Sequence, residues 1–392
     1  MRVLAACSLG GAGHLGPLLP FLAAARRRGD ETLIIGPPAL RDMVGRSGYG
    51  FRAGGEPPEA EVAPIRERLP VAPAREASVL GNRDLFGRMA TTAMLPGMRE
   101  ACAEWSPHLV LREPCEYASA VVAQQMGIRH AQVAISLAEA EAGSIVAAAT
   151  ALEDHRPGLV EEIQGSPYLT RCPASLDPSP FPRTVRFREP GTRERTPLPD
   201  WWDGSDAPLV YATYGTVLGH MSIAAGIYRM ALGAVARLDV RVLVTVGHRF
   251  DPIALEPVPP NVHVEPWVGQ GDVLAEADLV VCHGGSGTTF GALAAGVPLV
   301  VTPLFADQFV NGRRVADCGA GLVVEPKGGD DDGTRRVLGE GDAPRIADAI
   351  DAVLGRASYG RNARRIAREM AAAPSVDEVL DALLAGRVDG MR

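Results

Sequence analysis

Lysine is almost absent: Lys327 is the one lysine among 39 basic residues. Arginine, alanine, glycine and proline run high instead, a skew that follows GC-rich codons and carries no information about chemistry. Positive charge is not in excess. With 47 acidic residues the chain carries a net −8, its signs interspersed, which argues against nucleic acid or an anionic membrane as a partner. The six cysteines (Cys7, Cys102, Cys115, Cys172, Cys282, Cys318) include no C-x-x-C pair. Neither a disulfide framework nor a zinc site is expected, and a reducing cytoplasm is the predicted compartment. The longest uncharged stretch, CHGGSGTTFGALAAGVPLVVTPLFA, is cut by Gly296, Pro298 and Pro303 into helix, turn and strand, so no membrane span is expected. LAAC at residues 4–7 imitates a lipoprotein cleavage site without an apolar signal region and reads as strand.

At 392 residues the chain exceeds one ordinary domain, and two of roughly 200 residues are expected. Strand and helix alternate in the first half: RVLAAC, GPLLPFLAAARRRG, ETLIIG, then HLVLRE, YASAVVAQQMG and RHAQVAI. This is the pattern of a doubly wound parallel sheet. From about residue 171 the chain turns proline- and charge-rich and reads as a linker. A second alternating series follows: PLVYATYG, a helix near IYRMALGAVARL, RVLVTVG, NVHVEPW, DLVVCHGG, a helix at TTFGALAAG, and PLVVTP. Residues 53–100 and 138–170 show the least regular pattern, and irregular segments on a rigid sheet usually carry specificity. The D-x-D within KGGDDDG reads as a solvated turn rather than a metal holder.

The first strand runs into Gly11, Gly13 and Gly16, which spell the dinucleotide fingerprint G-x-G-x-x-G. In nicotinamide enzymes a carboxylate at the end of the second strand completes that site. Here the second strand ends in Gly36, Pro37 and Pro38, so the ribose carboxylate is missing. His14 lies among the glycines, with Pro17 expected at the helix start. An imidazole on an open strand-to-helix turn suggests a base rather than a phosphate cradle.

The strand DLVVCHGG delivers His283, Gly284, Gly285, Ser286, Gly287 and Thr288 to a helix N-terminus, where free N–H groups favour a phosphate. Trp267 ends an upstream strand and can stack on a nucleobase. Asp307 and Gln308, just after a downstream strand, suit sugar hydroxyls. Cys282 beside His283 has no third ligand in sequence, so no metal is expected there. His108, His130, His155, His220, His248 and His263 have no motif around them and read as structural.

Together W-x-x-Q, H-x-G-x-G-T and D-Q resemble the donor site of family 1 glycosyltransferases, specifically the bacterial enzymes that decorate natural products. The resemblance extends to the His14 loop and to the closing helices, YGRNARRIAREMAAAPSVDEVLDALLAG. It implies a GT-B fold, α/β, with two Rossmann-like doubly wound domains facing across a cleft. The implied division is an acceptor-binding domain at 1–188, a linker at 189–206, a donor-binding domain at 207–373, and a helix at 374–392 returning to the first domain. It further implies an inverting transfer with no metal or cofactor beyond the nucleotide sugar. Partners would be that sugar donor and a small-molecule aglycone, in a chain able to form a homodimer.

Position by position, the resemblance puts Trp267 on the base, the Val268 backbone at its edge and Gln270 near the pentose. Gly215, Thr216, His283, Gly285, Ser286, Gly287 and Thr288 would surround the diphosphate, and Asp307 and Gln308 would read the sugar. His14 would be the general base, oriented by Glu113 at the end of HLVLRE, with Glu116 a rival for that place. In plant members a glutamate eight residues after the loop histidine binds both ribose hydroxyls. Here that position is Gly291, which favours a deoxyribose donor, a thymidine diphosphate sugar. Two alternatives remain at this level: a nucleotide-sugar epimerase of the same fold, and a noncatalytic helper of a partner transferase.

Overall fold

The computed structural model describes residues 1–9, 11–69, 72–191, 196–216, 218–221, 223–327 and 337–390. The aspartates of KGGDDDG lie outside the described residues. The chain forms two compact units: Met1–Pro190 with Ala372–Arg392, and Gly191–Asp332 with Arg336–Ala371. No helix among the described residues is long and apolar enough to cross a membrane.

The first unit holds β1 (Arg2–Ala6), β2 (Glu31–Gly36), β3 (Gly50–Ala53), β4 (Leu109–Arg112), β5 (Arg129–Val133), β6 (Tyr168–Thr170) and β7 (Thr184–Arg186). They pair in the order β3-β2-β1-β4-β5-β6-β7, parallel throughout. Alternate residues feed opposite faces: Val3, Ala5, Leu109 and Leu111 join one buried cluster, and Leu4, Ala6 and Val110 join another. A sheet covered on both faces reads as a continuous apolar run, which is why these strands are legible. The order reverses between β1 and β4, and a crevice opens beyond the carboxyl ends of such a strand pair.

The second unit holds β8 (Leu209–Thr213), β9 (Arg241–Thr245), β10 (Val262–Glu265), β11 (Leu279–Cys282), β12 (Leu299–Val301) and β13 (Gly321–Val323). Their order is β10-β9-β8-β11-β12-β13, again parallel, with the reversal between β8 and β11. Each reversal puts one sequence-predicted motif loop after its first strand and another after its second.

Several expectations are corrected. β7 belongs to the first sheet and the buried Phe187 to the first unit's core, inside the stretch that composition marks as linker from residue 171. The strands missing from the sequence reading, β3, β6, β7 and β13, have three or four residues and lie at or next to sheet edges, where little apolar patterning is required. The segments 53–100 and 138–170 are largely helical: Glu59–Arg68, Val79–Ala90 (a π-helix), Thr91–Trp105, Ala138–His155 and Leu159–Gly165. The helix expected at 16–29 begins earlier, as Ala12–Leu15, tightens to a 3₁₀ turn at Gly16–Leu18 and resumes at Leu19–Arg27. Pro17 and Pro20 lie at this junction, and each removes a backbone donor that a continuous α-helix would use.

The last α-helix, Val376–Ala385, is capped reciprocally by Ser375 and Glu378. Val376, Val379, Leu380, Leu383 and Leu384 belong to the same buried cluster as Phe21 and Phe187 of the first unit.

Candidate active site

His14 sits on the short helix after β1, and Glu113 follows β4. The strand pairing Ala6↔Arg112 brings the two ends side by side. His14 Nδ1 lies 3.1 Å from Glu113 Oε2, with the carboxylate fully buried and the imidazole 22% exposed. Backbone N–H groups fix the acid: Ser8 donates to Oε1 at 2.9 Å and Cys115 to Oε2 at 2.7 Å. The rival, Glu116, instead accepts from the Ser119 N–H at 3.1 Å through both oxygens, at the start of the helix Ala118–Gln125. Burial pushes its pKa up to about 7. Phe86 of the π-helix stacks on the His14 ring, centroids 5.9 Å apart.

The nicotinamide reading of the first loop meets two obstacles. A Cβ at Gly13 or Gly16 would meet nothing within 4 Å, so neither glycine is needed for close helix–strand packing. At Gly36, where a ribose carboxylate would be carried, a Cβ would lie 2.9 Å from Leu40 Cδ1 and 3.0 Å from the Cys7 carbonyl oxygen. A nucleoside diphosphate at 100 times its Kd is therefore expected to stabilise the protein by about 2.7 kcal/mol, and NAD at equal concentration not at all. Thermal melts with each compound check this; an upward shift with NAD would restore the literal fingerprint.

In the second unit, Gly215 follows β8 and His283 follows β11. Gly215 takes φ 73°, and a Cβ there would press on the His283 ring at 3.0 Å. A Cβ at Gly285 would lie 2.3 Å from Nε2 of the same ring. Two glycines thus make room for the imidazole. Desolvation by the surrounding protein lowers the His283 pKa to about 4, against the pull of the Asp307 carboxylate, so the ring is neutral at pH 7.

The helix Ser286–Ala295 has Gly285 as its N-cap and no side-chain cap, and the N–H groups of a helix's first turn suit an anion. Gly287 and Thr216 are exposed and Thr288 half-buried. The Ser286 hydroxyl donates to Asp307 Oδ2 at 2.9 Å. Asn311, which sequence reasoning missed, ties the site together: its Nδ2 reaches the Gly284 carbonyl at 2.9 Å, Ser286 Oγ at 3.1 Å and Asp307 Oδ2 at 3.2 Å. Gln308 is buried, its carboxamide oxygen accepting from the Leu304 and Phe305 N–H groups at 2.9 and 3.0 Å, so its NH₂ end is what it can offer a sugar. Ala306, just before Asp307, takes φ 54°, a conformation that costs a residue with a side chain energy and that clusters at binding sites.

Trp267 is 60% exposed, and His248 lies parallel to it at 6.3 Å. Val268 is half-buried. Gln270 opens the short helix Gln270–Leu274, and a Cβ at Gly291 would meet its Oε1 at 3.3 Å, so these two positions are neighbours. The other histidines make structural contacts where described: His108 Nδ1 accepts from the Arg2 N–H at 3.0 Å, His155 Nε2 reaches the Gly87 carbonyl at 2.9 Å, and His263 Nε2 lies 2.9 Å from Glu265. Cys282 and His283 belong to no three-residue ligating cluster among the described residues. A cavity of about 420 Å³ is lined by Leu109, Arg129, His130, Glu162, Arg183 and Leu383 among others. It lies at the starting ends of β4 and β5, the opposite end from Glu113.

Comparison with known proteins identifies the family and the fold. The chain matches the family models described as erythromycin biosynthesis protein CIII-like, N-terminal domain, over residues 60–207, and C-terminal domain, over residues 229–385. It is 30% identical to the L-demethylnoviosyl transferase of Streptomyces niveus, covering 98% of both chains. The elloramycin glycosyltransferase ElmGT of Streptomyces olivaceus is also 30% identical, with 97% of this chain and 96% of that one covered. Among solved structures, the glycosyltransferase SnogD of Streptomyces nogalater superposes with a TM-score of 0.74 at 25% identity, covering 99% of each chain. Spinosyn rhamnosyltransferase SpnG complexed with thymidine diphosphate gives 0.74 at 22% identity, with 98% and 100% covered. The fold is GT-B, and relatives that transfer sugars set aside the epimerase and helper alternatives. The chain belongs to the erythromycin biosynthesis protein CIII-like family of bacterial natural-product glycosyltransferases.

Proposed function

We propose that this glycosyltransferase acts with inversion, moving a sugar from a thymidine diphosphate donor to the hydroxyl or a similar nucleophile of an aglycone, without a metal or cofactor. The observation that carries the reading is the His14–Glu113 pair. A buried carboxylate on Nδ1 fixes the ring proton there, leaves the Nε2 lone pair for the acceptor and stabilises the imidazolium that forms. His14 takes the acceptor's proton as the new bond to C1 forms. The bond from C1 to the diphosphate breaks, and the nucleoside diphosphate leaves with the electron pair. A single displacement inverts the anomeric centre.

In the same reading Trp267 stacks on the base, the Val268 backbone meets its edge, and Gln270 lies by the pentose. The backbone around Gly215, Thr216, Gly285, Ser286, Gly287 and Thr288 surrounds the diphosphate. His283, neutral, can give it one N–H, and the helix N-terminus stabilises charge on the leaving group. Asp307 and Gln308 read the sugar, with Asn311 holding Asp307. The thymidine diphosphate complex of SpnG and its complex with the spinosyn aglycone support this choice of partners by analogy. Product stereochemistry tests the displacement: proton NMR should find the anomeric configuration opposite to the donor's, and retention would overturn it.

The pentose preference has its own measure. Gly291 offers no carboxylate to a ribose 2′-hydroxyl, so a uridine donor loses about one hydrogen bond, worth roughly 0.5 to 1.5 kcal/mol. The expected kcat/KM ratio for the same sugar on both nucleotides is roughly 3- to 10-fold in favour of the deoxyribose donor. Preference for the uridine donor would mean that another group reads the ribose.

A further inference from the structure

Cys115 holds Glu113 through its backbone N–H. Its side chain has no part in this mechanism, yet its sulfur lies against the dyad. One ring nitrogen of His14, one carboxylate oxygen of Glu113 and Cys115 Sγ all lie within 4.8 Å of one another, a grouping able to hold a metal ion. With Nδ1 already 3.1 Å from Glu113 Oε2, Nδ1 is the nitrogen placed to ligate. An imidazole, a carboxylate and a thiolate form a borderline-soft donor set. It suits Zn²⁺ and its thiophilic neighbours and does not suit Mg²⁺, which demands near-octahedral oxygen. Three protein ligands leave a fourth position to water. Bonds of about 2.0 to 2.3 Å require the three atoms to draw together by roughly 1 Å. Glu113 is held by two backbone donors, whereas His14 is partly exposed and Cys115 half-buried, so these two side chains can supply the motion and an ion can reach them.

We propose that Zn²⁺ binds His14, Glu113 and Cys115 and switches the transferase off. On binding, the thiol proton leaves to solvent and the imidazole proton moves from Nδ1 to Nε2. No atom is oxidised or reduced. The Nε2 lone pair that would receive the acceptor's proton is then occupied by hydrogen, and the Glu113 carboxylate is diverted to the metal. The switching half rests on the reading of His14 as the base; the binding half does not, and the test separates them.

The probe for binding is Co²⁺, which occupies zinc sites and gives a thiolate-to-metal charge-transfer band in the near ultraviolet when a cysteine ligates it. The intact chain titrated with Co²⁺ should develop that band. Cys115→Ser, verified as folded by its melting curve and by unchanged nucleoside diphosphate affinity, should not. Absence of the band, or its persistence in Cys115→Ser, would overturn the site. The probe for switching is Zn²⁺ in the transfer assay. Wild-type turnover should fall as Zn²⁺ binds, and Cys115→Ser should need at least roughly 10- to 100-fold more, the range that loss of a mere supporting group costs a metal site. Full turnover with the cobalt band saturated would overturn the switch, and with it the role of His14, while the binding site would stand.

Discussion

Replacing His14 with alanine is expected to lower turnover roughly 100-fold or more on an ordinary alcohol acceptor, the usual contribution of a positioned base. Nucleoside diphosphate affinity is expected to stay near the wild-type value, because the proposed donor residues all lie in the second unit. The fall should therefore appear in kcat and kcat/KM alike, the mark of an interaction made in the transition state rather than in binding. Steady-state rates with one donor and one alcohol acceptor, together with calorimetric titration of the nucleotide, separate the two quantities. Unchanged turnover would remove His14 from the mechanism. A purely structural histidine would show a lowered melting temperature and a weakened nucleotide site instead.

The second large effect is expected at Gly285. Its backbone angles, φ −61° and ψ 138°, are open to any residue, so alanine there meets a purely steric obstacle. The added Cβ would lie 2.3 Å from His283 Nε2 and 2.8 Å from Cε1. The ring is also close to Gly215, whose Cβ position lies 3.0 Å from Cε1. Either the imidazole swings out or the first turn of Ser286–Ala295 shifts, at the roughly 1 to 3 kcal/mol typical of overpacking. If that cost falls on the diphosphate site, nucleoside diphosphate should bind roughly 5- to 150-fold more weakly. Gly13→Ala is the control, since a Cβ there meets nothing within 4 Å, and it should leave nucleotide affinity alone. Equal affinities for Gly285→Ala and wild type would mean that the packing of Gly285 against His283 does not shape the donor site.

The candidate donor residues could be proposed from sequence because each lies soon after the end of a parallel strand, in the connecting loop or in the first turn of the helix that follows. Such strands announce themselves as apolar runs, and the loop chemistry follows within a few residues. His14 and Glu113 are far apart in sequence, but the end of HLVLRE is the natural neighbour of the first loop once β1 and β4 are adjacent. Choosing between Glu113 and Glu116 required the structure, since both acids follow the same strand and only the hydrogen bonds to Ser119 show which one caps a helix instead. Asn311 escaped because an asparagine one turn into a helix gives no local signal of the carbonyl, hydroxyl and carboxylate it joins.

Residues 53–100 and 138–170 were illegible for a different reason. Their helices pack through small residues: a Cβ at Gly87 would press to 3.2 Å on Ala148 and 3.3 Å on Ala151. Alanine and glycine do not draw an apolar stripe. The buried face of Ala138–His155 also includes Glu141, whose pKa burial pushes up to about 8. Its presence is accounted for by the N–H groups of Ile135 and Ser136 at 2.8 and 2.7 Å and by Gln132 at 2.9 Å, partners that no periodicity reports. Phe86, the ring on His14, belongs to the same hidden layer.

The return of Val376–Ala385 to the first unit's core matters for recombination. A chimera of two relatives joined at one crossover, with the cut anywhere near residue 190, would supply the first sheet from one parent and Val376, Val379, Leu380, Leu383 and Leu384 from the other. The Arg27–Asp377 pair at 2.7 Å would likewise have mixed ancestry. Exchange of the acceptor half as an intact module therefore needs two crossovers, one near residue 190 and one near residue 372. Gene segments inherited as a single N-terminal block would have to re-fit a foreign helix, which ties the tail's sequence to the first unit's history rather than to that of the donor half it directly follows.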